Sequence, residues 1–248
     1  MVAAGSKGIG LAVARALADE GCLVSICSRN ETNLSMACNQ LHNAIGVKCD
    51  VSSLDDLTRW YEATCDELEP PDILVTNTGG PPAGALSSMT DEQWLDGFNS
   101  TLMNVIRLVR LVTPGMKAKG WGRIVHVTSL VAKEPSAMLP ISSTLRSGLM
   151  ATTRLQALEL ATAGITVNAV LPGHTLTDRQ HHLAKVRSEQ LGITPEEALE
   201  IQASEIPMKR LGKPEEIGAA IAFLCSQQAA YISGANLLVD GGLVRGVS

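Results

Sequence analysis

Three glycines, Gly5, Gly8 and Gly10, lie in MVAAGSKGIGLAVARAL, between a short apolar start and a segment of helical period. Glycine lets a backbone turn tightly and approach a ligand closely, and the N-terminus of the following helix carries partial positive charge. With Ser6, Lys7 and Ile9 between them, these residues could cradle a pyrophosphate. A plain strand-to-helix turn would use the same glycines, but their place at the first βα junction favours the phosphate loop. After the next strand-like run the sequence reads Ser28-Arg29-Asn30, with no acid to accept a bare ribose hydroxyl. Arg29 and Lys7 instead offer cations that suit a phosphorylated ribose, although each alone would pass as a solvated surface charge. Further along, Ser129 closes the run RIVHVTS, and His174 follows Pro172-Gly173.

Elements that would position these groups can be read from the hydropathy pattern. Strand-length apolar runs occur at 22–27, 44–49, 72–76, 123–128, 165–171 and 236–240, and helical patterns lie near 9–20, 31–42, 54–68, 91–118, 142–162 and 214–225. The strict alternation, with strands that are apolar on both faces, predicts an α/β fold: a doubly wound parallel sheet of Rossmann type with helices on both faces, in one domain over 1–248. The first strand is truncated, since only Met1 to Ala4 precede the glycine loop. A short central strand is expected to leave its neighbours unpaired, which implies upstream coding sequence or low stability. Thr177 to Pro207 interrupts the rhythm with charged, helical sequence and reads either as a helical lid or as a surface insertion.

Hydrophobic residues make up 45% of the 248-residue chain and charged residues 18%, which excludes disorder for most of it. Net charge is −5 with no run of Lys or Arg, so neither nucleic acid nor an anionic membrane is an expected partner. No apolar stretch reaches the ~18 residues of a membrane span. The six cysteines lack CxxC spacing and read as free thiols in a reducing, cytoplasmic setting. No cluster of Cys, His and carboxylate has zinc-site spacing, so no metal is expected.

The chain resembles the short-chain dehydrogenase/reductase family, of the type that includes 3-oxoacyl-carrier-protein reductases. The motifs that carry the resemblance are the glycine loop, spaced Gly-x-x-x-Gly-x-Gly if Ala4 stands in the first position, CDV with Asp50, TNTGG at 76–80, GRIVHVTS ending at Ser129, ITVNAVLPG at 165–173 and YISGANLLVDGG at 231–242. The resemblance implies adenine contact for Asp50, a cofactor-supporting loop for Asn77 and Gly79, nicotinamide contact for Pro172 and Gly173, contact with the cofactor's phosphate for Thr177, and cofactor contact for Val51 and Thr175. The pairing of Lys7 with Arg29 resembles the NADP-preferring members, so NADP(H) is the expected cofactor rather than NAD(H).

Family catalysis rests on a Ser, a Tyr and a Lys four residues beyond it, with an assisting Asn. Ser129 matches the serine. The tyrosine position holds Ser142, the lysine position Arg146 and the asparagine position Thr101. The only tyrosines, Tyr61 and Tyr231, lie elsewhere. A phenol titrates near about 10 and can be tuned by a neighbouring cation, whereas an alkyl hydroxyl is close to water, about 15.7, and arginine keeps its proton. Ser142 therefore cannot simply replace the phenol, although Arg146 can still bind ribose hydroxyls. His174 is the histidine that the resemblance places beside the nicotinamide, and it is the candidate proton donor, set against an ordinary loop histidine. His126, in a strand, reads as a satisfied core residue.

The expected function is NADP(H)-dependent reduction of a carbonyl, or oxidation of an alcohol, on a small metabolite. The alternative is a non-catalytic nucleotide-binding regulator or partner subunit. By resemblance the chain forms a homo-oligomer, a homotetramer, through 91–118, 142–162 and NLLVDGG.

Overall fold

The computed structural model describes residues 1–246; residues 247 and 248 lie outside the described chain. Helix α1 (Gly8–Asp19) leads to β1 (Val24–Ser28), α2 (Glu31–Cys38), β2 (Ala44–Lys48), α3 (Leu54–Glu67) and β3 (Ile73–Thr76). Next come α4 (Asp91–Phe98), a π-helical turn (Asn99–Met103) and α5 (Asn104–Lys119). Then follow β4 (Gly122–Val127), α6 (Pro140–Leu160), β5 (Ile165–Pro172), α7 (Asp178–Leu191), α8 (Pro195–Glu205), α9 (Pro214–Cys225) and β6 (Asn236–Val239). Each expected strand is present within two residues of its expected bounds. The single helical pattern expected at 91–118 is instead two helices separated by the π turn.

All pairings are parallel: β1 with β2, and β3, β4, β5 and β6 in succession. Met1–Ala3 connects the two groups. Val2 bridges Ile26 on one side and Val75 on the other; its N–H donates to the Ser25 carbonyl at 2.8 Å, and the Ala3 N–H donates to the Val75 carbonyl at 2.9 Å. The unpaired neighbours expected from the short start are therefore not found. An extended segment turns successive backbone groups to opposite sides, so three residues satisfy both adjoining strands.

Alternate strand residues feed two cores. On one face Leu74 and Ile124 pack with Leu57, Trp60, Leu108 and Met116 of α3 and α5; on the other Ile26, Val75 and Val125 pack with Val13 and Leu17 of α1 and Ile217 and Ile221 of α9. Each such side chain contributes about 1.5–3 kcal/mol on burial, which is why the Val- and Ile-rich strands hold their register. Local signals set the helix ends. Thr90 and Gln93 form a reciprocal capping box at α4, Thr194 and Glu197 do the same at α8, and Gly120 ends α5 with φ of +64°. The stretch expected as a lid folds into α7 and α8. Among the described residues no helix is long and apolar enough to cross a membrane.

Candidate active site

A cleft of about 840 Å³ opens at the carboxyl ends of the strands, beside the central Met1–Ala3 segment from which the strand order runs outward in both directions. Parallel α/β sheets leave such a crevice because the loops on either side of this point depart to opposite faces. Ser6, Lys7, Gly8 and Ile9 line one end. Gly5 and Gly10 do not; they let the loop pack. A side-chain carbon on Gly10 would stand 2.2 Å from the Ala4 carbonyl oxygen, and one on Gly5 would stand 2.7 Å from Ile26 Cγ2. Ala4, just before Gly5, takes a φ of +47°, the left-handed region that favours glycine. Lys7 caps α1 without a side-chain hydrogen bond, so the first-turn amides remain open to an anion.

Arg29 and Lys7 are both exposed at this end. Lys7 Nζ reaches Asp178 Oδ2 at 3.4 Å, a solvated contact weak enough to yield to a phosphate. Burial pushes the Asp50 carboxyl up, but hydrogen bonds from the Ser52 hydroxyl and amide, with the Arg29 charge, outweigh it and hold the group below the usual range. Val51 lies beside it in the cleft wall. Asn77 Nδ2 donates to the Ala4 carbonyl at 3.5 Å and so ties the loop after β3 to the glycine loop, while Gly79 faces open space. Thr177 Oγ1 accepts from the Gln180 amide at 3.3 Å to cap α7, and its methyl lies against Gly8. Thr175 lines the cleft, as do Pro172 and Gly173 at the end of β5; any side chain on Gly173 would strike Asp240.

At the other end, β4 and α6 bring Ser129, Ser142 and Arg146 together. Ser129 Oγ accepts from the Val131 amide at 3.3 Å, which leaves its proton free to donate into the cleft. Ser142 and Arg146 are each 6% exposed. Arg146 Nε donates to Ser142 Oγ at 3.2 Å, and Nη1 donates to the carbonyls of Val127 and Thr128 at 2.9 and 2.7 Å. Burial, and then the Arg179 charge, push the Arg146 guanidinium down to about 10, so it stays a cation at neutral pH. Thr101 is buried in the π turn, and its hydroxyl has no partner.

His174 lines the cleft half-buried, and burial, opposed by Glu205 and assisted by Arg187, lowers its pKa. The imidazole is therefore mostly neutral at pH 7. His126 is a satisfied core residue, bonded to Thr76 Oγ1 and Gln156 Oε1 at 2.8 Å each. Neither tyrosine lines the cleft; Tyr61 packs on α3 and Tyr231 is fully exposed. His181 and His182 are exposed, and among the described residues no group of three metal-ligating side chains forms.

Sequence reasoning passed over Arg179. It lines the cleft from the first turn of α7, and its Nη2 donates to the Pro81 carbonyl at 2.7 Å. A cation in the first turn of a helix opposes the helix dipole, and that placement was the local signal available.

The chain matches the family described as Enoyl-(Acyl carrier protein) reductase over residues 3–244. It is 34% identical to the 3-oxoacyl-[acyl-carrier-protein] reductase FabG of Vibrio cholerae, over 98% of this chain and 96% of that protein. Among solved structures it superposes with a TM-score of 0.96 on an actinorhodin polyketide ketoreductase with NADPH, at 33% identity over 99% of this chain and 96% of that one. L-sorbose reductase from Gluconobacter frateurii, complexed with NADPH and L-sorbose, gives a TM-score of 0.94 at 31% identity over 99% and 96%.

Proposed function

Because the chain belongs to the short-chain dehydrogenase/reductase family, we propose that it is an NADP(H)-dependent oxidoreductase that reduces a carbonyl, or oxidises the matching alcohol, on a small metabolite. The observation that carries this reading is one cleft with two chemically distinct ends: open helix-terminal amides with Lys7 and Arg29 at one, and Ser129, Ser142 and Arg146 at the other. The residues present fit the cofactor, since the glycine loop leaves close-approach backbone where a phosphate needs it and no acid replaces Arg29. NADPH supplies the hydride when bound.

The chain's own residues bind and orient. Ser129 donates a hydrogen bond to the carbonyl oxygen and polarises it. Arg146, fixed by two main-chain carbonyls and Ser142, orders the loop that carries Ser129 and keeps Nη2 for a ligand in the cleft. Ser142 is too weak an acid to deliver the proton, which leaves His174 or a relayed water. Neutral His174 accepts a proton more readily than it gives one, so it suits alcohol oxidation, and water serves carbonyl reduction. Helix α7 acts as a lid, since Thr177 at its cap and Arg179 and Leu183 within it reach the cleft, and α8 packs against α7. We assign the chain to one domain, to the cytoplasm, which suits its six free thiols, and to a homotetramer.

The missing phenol favours one second reading, a nucleotide-binding regulator that has lost turnover. Calorimetric titration with NADPH and NADH, followed by a carbonyl panel on the same sample, separates the two. Binding with turnover supports the enzyme, binding without turnover supports the regulator, and no binding overturns both.

A further inference from the structure

Two of the guanidinium groups that line the cleft, Arg146 and Arg179, make no ion pair among the described residues, although Asp96 and Asp178 line the same cleft. Arg146 spends Nε and Nη1 on Ser142 and two main-chain carbonyls, which leaves the Nη2 hydrogens without a protein partner among the described residues. Arg179 spends only Nη2, on the Pro81 carbonyl. Neither makes an ion pair among the described residues, although six such pairs occur elsewhere on the chain. Both line the same cleft.

Two features show that the pair is held at a cost. Each guanidinium has its pKa lowered by burial, and in Arg146 the Arg179 charge lowers it further. Like charges in a partly desolvated site repel, and a bound anion converts that repulsion into charge-assisted hydrogen bonds. Arg179 also stands in the first turn of α7 against the helix dipole, where an acid would be favoured. A side-chain carbon on Gly80 would lie 3.3 Å from Arg179 Nη2, so the loop after β3 keeps room for this guanidinium.

The position of the pair says where the anion belongs on a substrate. Arg146 bonds the carbonyl of Thr128, the residue before Ser129, and the hydroxyl of Ser142. The Arg146 charge is thus anchored on the backbone segment that carries Ser129, whose hydroxyl would polarise a carbonyl. The open amides of α1, at the other end, are where the diphosphate of the proposed cofactor would sit.

We propose that Arg146 and Arg179 form an anion-binding pair, and that the substrate carries a carboxylate one bond from its reacting carbonyl, as in a 2-oxo acid or the corresponding 2-hydroxy acid. This rests on the oxidoreductase reading above. Planar guanidinium groups match the two oxygens of a carboxylate, and the acid's carbonyl then falls beside Ser129. A neutral ketone or ester would leave both cations unpaired.

Calorimetry with benzoylformate, a compact 2-oxo acid, and with its methyl ester tests this, with and without saturating NADPH. The acid is expected to bind at least tenfold more tightly than the ester. Arg179→Gln is expected to lose at least tenfold in affinity for the acid while NADPH affinity holds within twofold, and Arg179→Lys to recover part of the loss. Arg179 is only partly buried, so these variants avoid the packing that Arg146 supports. Equal binding of acid and ester, no binding of either, or a loss of NADPH affinity in Arg179→Gln would overturn the proposal; the last result would assign the pair to the cofactor's diphosphate. If NADPH fails to bind but the acid binds the free protein with this preference, the anion site stands and the oxidoreductase reading falls.

Discussion

Arg146 Nε donates to Ser142 Oγ at 3.2 Å across one turn of α6, at the two positions where the sequence resemblance expects lysine and tyrosine. The spacing that would let an ammonium tune a phenol instead joins a permanent cation to an alkyl hydroxyl. A hydroxyl that accepts from a guanidinium has its own hydrogen free to donate, but it does not ionise near neutrality. The pair therefore offers a hydrogen-bond donor but no acid that titrates near neutrality.

Restoring that acid is therefore expected to raise turnover. The double variant Ser142→Tyr/Arg146→Lys should increase kcat/KM for simple ketones by about 10²-fold or more, the usual contribution of general acid catalysis. Steady-state rates with saturating NADPH measure it. A folded double variant with rates at or below wild type would show that the proton already travels by another route.

Cofactor preference should follow Lys7 and Arg29. NADPH is expected to bind about tenfold or more tightly than NADH, with the preference shrinking as salt rises because both contacts are exposed and ionic. Arg29→Asp should remove or reverse it. Fluorescence titration at two salt concentrations gives the answer, and a wild type that prefers NADH refutes the assignment.

Stability should depend on pH through His126, whose imidazole is fully buried and pushed down to about 4. The unfolded chain, near about 6.5, takes up the proton first. The contribution is therefore complete above pH 6.5 and is lost as pH falls toward 4, by about 3 kcal/mol in total. Urea denaturation of the wild type and His126→Gln at pH 7 and pH 4.5 should give a clearly smaller pH effect in the variant. Identical pH effects would mean that other groups carry it.

Assembly should use α6. Leu155 and Leu158 stand 66% and 63% exposed, three residues apart on one helical face. Sedimentation of the wild type at micromolar concentration is expected to give a tetramer, and Leu155→Glu/Leu158→Glu a smaller species. A monomeric wild type would falsify the oligomer.

Much of this fold was legible locally. The six strands could be read because a sheet covered on both faces demands unbroken Val- and Ile-rich runs, and the glycine loop because only glycine admits the approach that Gly10 makes to Ala4. That Ser142 and Arg146 stand where the resemblance expects tyrosine and lysine was likewise read from spacing alone. The π turn at Asn99–Met103 was not legible, since its residues are helical by period and only packing makes the extra residue bulge.

Nor could spacing show that Met1–Ala3 completes the sheet, because the hydrogen bonds of those three residues join Ser25 and Cys27 on one side and Ile73 and Val75 on the other, which only the folded chain brings alongside. The same holds for the cleft's charge. Arg146 and Arg179 are 33 positions apart in sequence and each could pair with some acid; that neither does among the described residues depends on which side chains α6, α7 and the loop after β3 turn toward a common space. Sequence decides which elements form and which chemistry each position holds. Burial, and the meeting of distant like charges, arise only when the helices close over the sheet.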